Sequence, residues 1–326
     1  MTILRYREQC FPLEPNQSVL DCLSGHGVPV PYSCRVGVCQ TCLLRATAGT
    51  PPPTAQAGLK DSLKLQNYFL ACVCQPTEDL SVALPDDDAQ PTTQAIVRAL
   101  ELLNHDILRV ELQCPDGFTY RAGQFINWVW AQDPTQVRSY SLASVPGLDR
   151  HIQLHVRRLP RGRVSGWIHD ALKVGQQVDI RGPAGDCLYA PGKPEQALLL
   201  VGTGTGLAPL YGIARDALAQ GHSGPIRLFH GSHDADGLYL AEELRALQRQ
   251  HANFAYVPCL SGAAVPPGHV AGRANEAALR EIPHLKGWRV YLCGHPDMVK
   301  ATKKKAFLAG ASMQDIHADA FNVSHA

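Results

Sequence analysis

No apolar run in this 326-residue chain reaches the ~18 residues that a membrane span needs. The opening stretch, MTILRYREQCFPLEPN, lacks the apolar core of a secretion signal. Charge of one sign is also lacking, because 30 Lys and Arg stand against 29 Asp and Glu. That balance argues against a nucleic-acid-binding surface, which shows a basic excess. No internal repeat is visible. These absences point to a cytoplasmic monomer that engages neither membrane nor nucleic acid. Eleven cysteines is an odd number, and without a secretion signal it argues against a disulfide framework. Reduced thiolates held for metal binding are the better reading.

What is present divides at two seams. ALPDDDAQPTTQ (83–94) is acidic and proline-bearing, and YAPGKPEQ (189–196) is rich in proline and glycine. The Asp86–Asp88 run reads as linker. Before the first seam the pattern predicts strands near 2–6 and 10–13 and a helix opened by Ser18, a good N-cap. Between the seams HIQLHVRR (151–158) alternates, with Ile152, Leu154 and Val156 on one face. With AGQFINWVWA (122–131) and QQVDIRG (176–182), it suggests an antiparallel barrel. After the second seam strand and helix alternate, which implies a parallel sheet covered on both faces.

The cysteines carry the most specific signal. Cys34, Cys39 and Cys42 have the spacing C-x4-C-x2-C, and Cys72 follows in YFLACVCQP. This is the plant-type arrangement for four thiolates on a 2Fe–2S cluster. Gly37 lies where the backbone must wrap the cluster. A zinc site would draw on two close pairs or a histidine pair, and neither fits. Cys74 is an alternative to Cys72. Cys10, Cys22, Cys114, Cys187 and Cys259 read as small core residues.

Other motifs suit a redox partner for such a cluster. VRSYSLAS (137–144) offers Arg138 for a phosphate, Tyr140 for a flat ring and Ser141 for a ring edge. In RGRVSGWIHDAL (161–172), Gly162 and Ser165 open a helix whose free N–H groups suit a pyrophosphate. Either motif alone fits an ordinary surface; together they favour a flavin. ALLLVGTGTGLAPL (197–210) is a strand, a glycine loop and a helix. Gly202, Gly204 and Gly206 would let backbone approach phosphates, with hydroxyls from Thr203 and Thr205. The spacing is G-x-G-x-G and not G-x-G-x-x-G. HGSHDADGLY (230–239) contains Asp234 and Asp236 and no Arg or Lys, so NADH is expected over NADPH. YLCGHPDMV (291–299) puts Cys293 and Gly294 at a strand end suited to a nicotinamide. Lys303, Lys304 and Lys305 read as a solvated helix face.

With these segments in order the chain resembles the ferredoxin–NAD(P)+ reductase superfamily, and within it the NADH-dependent reductase components of bacterial oxygenases. The resemblance spans essentially the whole chain and implies three domains. These are a β-grasp-like 2Fe–2S ferredoxin domain (1–88), an antiparallel β-barrel that binds FAD (92–191) and a parallel-sheet α/β domain that binds NAD (194–326). It also implies that Arg138 meets the flavin pyrophosphate, Tyr140 stacks on the ring and Ser141 approaches N5. Val164 and Ser165 would sit at the FAD phosphates, and Ser139, His155 and Val156 complete the expected flavin set. Phe321 would be the aromatic near the flavin, although a hydrophobic plug fits it equally. Tyr140, Ser141, Cys293 and Phe321 are thus the expected catalytic group.

Two positions depart from the family pattern: Gln40 replaces a common glycine, and His295 a common proline. The implied activity passes electrons from NADH through FAD and the cluster to a terminal oxygenase. A reductase for a deoxysugar dehydratase, or a redox carrier or sensor with decayed flavin and nucleotide sites, would share most of these residues.

Overall fold

The computed structural model describes residues 2–84 and 91–322, which fall into two compact units meeting in sequence at residues 90 and 91. The Asp86–Asp88 run lies outside the described residues. In the first unit β1 (Thr2–Tyr6) and β2 (Gln9–Leu13) form a hairpin. Helix α1 (Val19–Gly25) follows, with the Ser18 hydroxyl accepting from the Asp21 N–H at 3.1 Å. Then come β3 (Leu43–Ala48), the single turn α2 (Asp61–Lys64), β4 (Tyr68–Leu70) and β5 (Leu80–Ala83). The sheet order is β2-β1-β5-β3-β4, and only the β1–β5 pair is parallel. The sheet grips α1 through Val19, Leu20, Cys22 and Leu23, all buried in one core with Leu4, Leu44 and Phe69.

The second unit opens with β6 (Thr93–Leu102), β7 (Ile107–Gln113), β8 (Phe125–Val129), β9 (Val137–Ser141) and β10 (Ile152–Arg157). Helix α3 (Arg163–Asp170) and β11 (Gln177–Ala184) complete this sheet region. The order is β10-β7-β6-β11-β8-β9, antiparallel throughout. Just beyond β9, Leu142 bridges Leu154, and the Ala143 N–H donates to Gln153 O at 2.9 Å. These contacts join the two ends of the sheet into a barrel. Ile152, Leu154 and Val156 are buried as the alternation predicts. His155, on the opposite face, is buried as well, because Tyr239 of the adjoining lobe covers it.

That lobe comprises β12 (Leu198–Thr203), α4 (Leu207–Ala219), β13 (Ile226–Ser232), α5 (Ala241–Gln250), β14 (Phe254–Leu260) and β15 (Val270–Ala271). It ends with α6 (Ala274–Glu281), β16 (Arg289–Gly294), α7 (Pro296–Leu308) and β17 (Ile316–Ala320). All strands are parallel, in the order β15-β14-β13-β12-β16-β17. The run Leu198–Val201 is apolar without alternation because both faces are covered. Leu198 and Leu200 pack with α4 residues, whereas Leu199 and Val201 pack with residues of α6 and α7. Strand order reverses at β12, between β13 and β16, which opens a crevice at the carboxyl ends of the strands.

The two predicted seams differ. The first coincides with the boundary between the units. The second does not separate the contacts, since Cys187 and Tyr189 before it share a core with Leu198, Leu210 and Tyr291 after it. Among the described residues no helix is long and apolar enough to cross a membrane.

Candidate functional site: a cysteine loop and a dinucleotide cleft

The segment between α1 and β3 has no regular structure and carries three of the four expected ligands. Backbone N–H groups turn inward on the sulfurs. Cys39 N donates to Cys34 Sγ at 3.4 Å, Cys34 N to Cys39 Sγ at 3.5 Å and Val36 N to Cys34 Sγ at 3.5 Å. The Thr41 hydroxyl adds a bond to Cys39 Sγ at 3.2 Å. The Cys34 backbone and the Thr41 side chain together lower the Cys39 thiol to about 6. Cys42 pairs instead with Cys72, and burial raises its thiol to about 11. Two sulfur pairs, Cys34 with Cys39 and Cys42 with Cys72, are what a two-iron cluster with two thiolates per iron requires. Among the described residues no three His, Cys, Asp or Glu side chains converge as a single ion would need. Cys74 is fully buried in the apolar core, where burial pushes its thiol up to about 12, so the alternative to Cys72 is set aside.

Gly37 has φ +77, as a wrapping loop demands. Gln40 also sits in the left-handed region, at φ +60. That is a backbone conformation that a glycine would adopt at less cost. Here the Gln40 Nε2 donates to Gly58 O at 3.3 Å as partial compensation. Gln40→Gly is expected to stabilise the protein by about 0.5 kcal/mol, the left-handed strain of ~1 kcal/mol less the lost bond. A urea midpoint that falls on substitution would contradict this.

In the second unit a cleft of about 1460 Å3 runs from the barrel to the crevice at β12. Arg138, Ser139, Tyr140 and Ser141 of β9 and His155 of β10 line one part, with Gly162, Val164 and Ser165 at the start of α3. Thr203, Gly204, Thr205, Asp234, Gly294 and Phe321 line the other. The structure therefore gathers most of the expected residues. Arg138 is braced by Val137 O at 2.9 Å and Gln136 Oε1 at 3.0 Å. Tyr140 stands edge-on to Trp128, with ring centroids 6.3 Å apart. Among the described residues no side chain caps α3, so its first N–H groups face the cleft, flanked by Arg161 and Arg163.

Four expected residues lie elsewhere. Val156 points into the barrel core, because its neighbour His155 takes the cleft-facing side. Gly202 and Gly206 lie under the cleft, and what they do is pack. A Cβ on Gly202 would stand 2.7 Å from Leu210 Cδ1, and one on Gly206 would collide with the Cys293 carbonyl. Cys293 is wholly buried, its Sγ 3.7 Å from Cys187 Sγ, and burial holds its thiol far above the usual range. Gly294, next along, is the residue at the cleft wall. His295 caps α7, its Nδ1 accepting from Asp297 N at 3.3 Å. Lys303, Lys304 and Lys305 are exposed on α7, as expected of a solvated face.

The structure adds residues that the motifs did not single out. Asp319 of β17 lines the cleft and accepts from the Ser141 hydroxyl at 3.2 Å. Burial raises its carboxyl pKa. Phe321 is tethered nearby, its N–H donating to Gly294 O at 2.8 Å. Tyr239 OH meets His155 Nδ1 at 3.2 Å, and His230 Nε2 donates to Gly204 O at 3.2 Å. Burial keeps both imidazoles neutral, at about 3 for His155 and about 4 for His230. In the sequence Asp319 is marked only by lying two positions before Phe321.

Asp319 allows a pH test. A carboxyl with a raised folded pKa holds its proton more tightly when folded, so its contribution is present at low pH and lost as pH rises through that pKa. Asp319→Asn is therefore expected to raise Tm more at pH 8 than at pH 4, and to slow flavin reduction by about a hundredfold, the low end of the effect of losing one positioned proton carrier. Equal shifts in Tm at both pH values would remove the argument.

Paired thiolates, an uncapped helix at a flat-ring pocket and a crevice at a sheet reversal together define a flavin- and nicotinamide-dependent iron–sulfur oxidoreductase. Comparison with known proteins agrees. The 2Fe-2S iron-sulfur cluster binding domain matches residues 3–77, the oxidoreductase FAD-binding domain 94–189 and the oxidoreductase NAD-binding domain 200–304. The ferredoxin–NAD(P)+ reductase component of naphthalene 1,2-dioxygenase/salicylate 5-hydroxylase systems from Ralstonia sp. is 34% identical over 313 residues, 94% of each chain. The aromatic O-demethylase reductase subunit from Amycolatopsis sp. is 34% identical over 94% of this chain and 95% of its own. The crystal structure of an Amycolatopsis cytochrome P450 reductase superposes with a TM-score of 0.69 at 32% identity, covering 98% of this chain and 99% of that one. The chain belongs to the family of ferredoxin–NAD(P)+ reductase components, with FAD, NADH and a 2Fe–2S cluster as its cofactors.

Proposed function

We propose that this protein is the reductase component of an oxygenase system, drawing electrons from NADH and delivering them singly to a terminal oxygenase. The observation that carries the reading is the presence, in one chain, of the cleft and of a cysteine loop open to solvent. Relatives named as reductase components or subunits of dioxygenase, O-demethylase and phenol 2-monooxygenase systems support it. Bound FAD supplies the conversion between two-electron and one-electron chemistry that connects a nicotinamide to an iron–sulfur cluster.

The chain's residues supply the setting. Arg138 and the first turn of α3 offset phosphate charge, and Tyr140, held by Trp128, offers a flat face. Ser141 and Asp319 hold a proton at the cleft wall, shielded by Phe321. Asp234 is an acceptor for a ribose hydroxyl, although its Oδ1 also takes the Gly237 N–H at 3.0 Å. In the first unit Val36 and Val38 are 68% and 74% exposed on either side of Gly37. Apolar side chains at such a loop suit contact with a protein acceptor. In this reading the protein acts as a cytoplasmic monomer.

Anaerobic titration with NADH, followed by absorbance and low-temperature EPR, tests the relay. Flavin bleaching with a reduced 2Fe–2S signal is the expected result. Flavin bleaching without that signal would reduce the protein to a flavin reductase with an attached ferredoxin-like unit.

A further inference from the structure

Three rings are buried between the flavin barrel and the nucleotide lobe. His155 of β10 is 4% exposed, Tyr239 2% and His230 of β13 0%. The Tyr239 ring stands edge-on to both imidazoles, with its centroid 5.3 Å from that of His155 and 5.5 Å from that of His230. Its hydroxyl meets His155 Nδ1 at 3.2 Å, and at the far end His230 Nε2 donates to Gly204 O at 3.2 Å. The series thus runs from a barrel strand to the glycine loop. A second tie lies on the same loop of the lobe: Asn104, in the β6–β7 turn, donates from Nδ2 to Asp236 O at 3.2 Å.

This arrangement does more than fill space. His155 Nε2 and His230 Nδ1 are buried without a hydrogen-bond partner among the described residues. An apolar ring at either place would avoid that cost, so what the imidazoles contribute is the bonds of their other nitrogens. Leu240, next to Tyr239, is buried at φ +53, a conformation that a bulky residue keeps only where its surroundings over-determine it. Gly204 O already accepts from the Leu207 N–H, so the His230 bond is not needed to satisfy it. What that bond adds is direction. In a trans peptide the carbonyl and the following N–H point opposite ways. Holding Gly204 O towards β13 therefore turns the Thr205 N–H away from that strand, and Thr203, Gly204 and Thr205 all line the cleft.

We propose that His230 and Tyr239 are positioning residues for hydride transfer. His230 sets the glycine loop for the nucleotide, and Tyr239, through His155, holds the lobe in register with the flavin barrel. Neither side chain lines the cleft, so both act through the residues they hold. This rests on the lobe's role as the nicotinamide-nucleotide site.

The test uses the full-length holoprotein and measures the Kd of ADP-ribose by calorimetry and the rate of flavin reduction at saturating NADH. His230→Phe keeps a ring against Tyr239 and loses the donor to Gly204 O. It is expected to weaken ADP-ribose binding about fivefold, the worth of one hydrogen bond, with Tm within a few degrees of the parent. His230→Gln, whose amide nitrogen reaches the Nε2 position, is expected to restore the affinity to within twofold. Tyr239→Phe keeps both ring contacts and loses the bond to His155. Flavin reduction should then slow about fivefold while the Kd stays within twofold. An affinity within twofold of the parent in H230F, or an H230Q as weak as H230F, would overturn the role of His230. Flavin reduction at the parent rate in Y239F would overturn that of Tyr239, and this variant stays decisive if H230F does not fold. If the parent neither binds ADP-ribose nor has its flavin bleached by NADH, it is the nucleotide reading of the cleft that fails.

Discussion

Serine in place of Cys72 is expected to remove the iron–sulfur absorbance and to cut electron delivery to a one-electron protein acceptor about a hundredfold or more, since the loss of one of four thiolates leaves a cluster incompletely held. Alanine in place of Cys74, two positions on, should leave both intact. The two residues sit in different environments. Cys72 is partly exposed and faces Cys42, whereas Cys74 is fully buried among apolar side chains beneath the loop. Loss of the Cys74 sulfur costs about 1 kcal/mol of packing and nothing in ligation. In Cys72→Ser, NADH-driven ferricyanide reduction by the second unit should persist, which separates cluster loss from misfolding. Equal iron content in the two variants would refute the pairing of Cys42 with Cys72.

Alanine at Gly206 is expected to lower kcat/KM for NADH by more than about tenfold and to lower Tm by several degrees, because overpacking a rigid site costs ~1–3 kcal/mol. A new Cβ would meet the Cys293 carbonyl and the Gly294 N, which are backbone atoms that cannot swing aside. Gly294, at φ +121, is hemmed in from the other side by Thr203, so the glycine loop and the end of β16 are seated in each other. Moving one moves the floor of the nucleotide crevice. Steady-state kinetics with NADH, together with a thermal melt, would show this. An unchanged KM and Tm would mean that the loop has more room than the structure gives it.

Much of this architecture was legible in the chain because spacing alone carried it. The cysteine pattern needed no tertiary information, and Arg138 to Ser141 and the glycine loop are each contiguous. The misplaced residues share a cause. Gly202, Gly206 and Cys293 belong to motifs that bind a dinucleotide as a whole, but a motif does not say which of its members touch the ligand and which support it. Val156 keeps the core face that the alternation gives it, and His155, on the opposite face, is buried because Tyr239, 84 residues later, covers it. Asp319 was invisible for a related reason: it is an unremarkable charged residue until strand order brings it to the crevice. Gln40 is the converse case, since its left-handed backbone follows from the loop and opposes the residue's own preference.

The Ser141–Asp319 bond joins residues 178 positions apart. At typical rates of chain synthesis the ribosome needs about 10–35 s to add the intervening segment. During that interval the barrel can close and its helix can already attract a phosphate, but the wall made by Asp319 and Phe321 does not yet exist. The first unit is complete much earlier, since its last strand ends at Ala83. Assembly therefore has a built-in order: the iron–sulfur loop can mature on a nascent chain well before the wall of the flavin pocket is made.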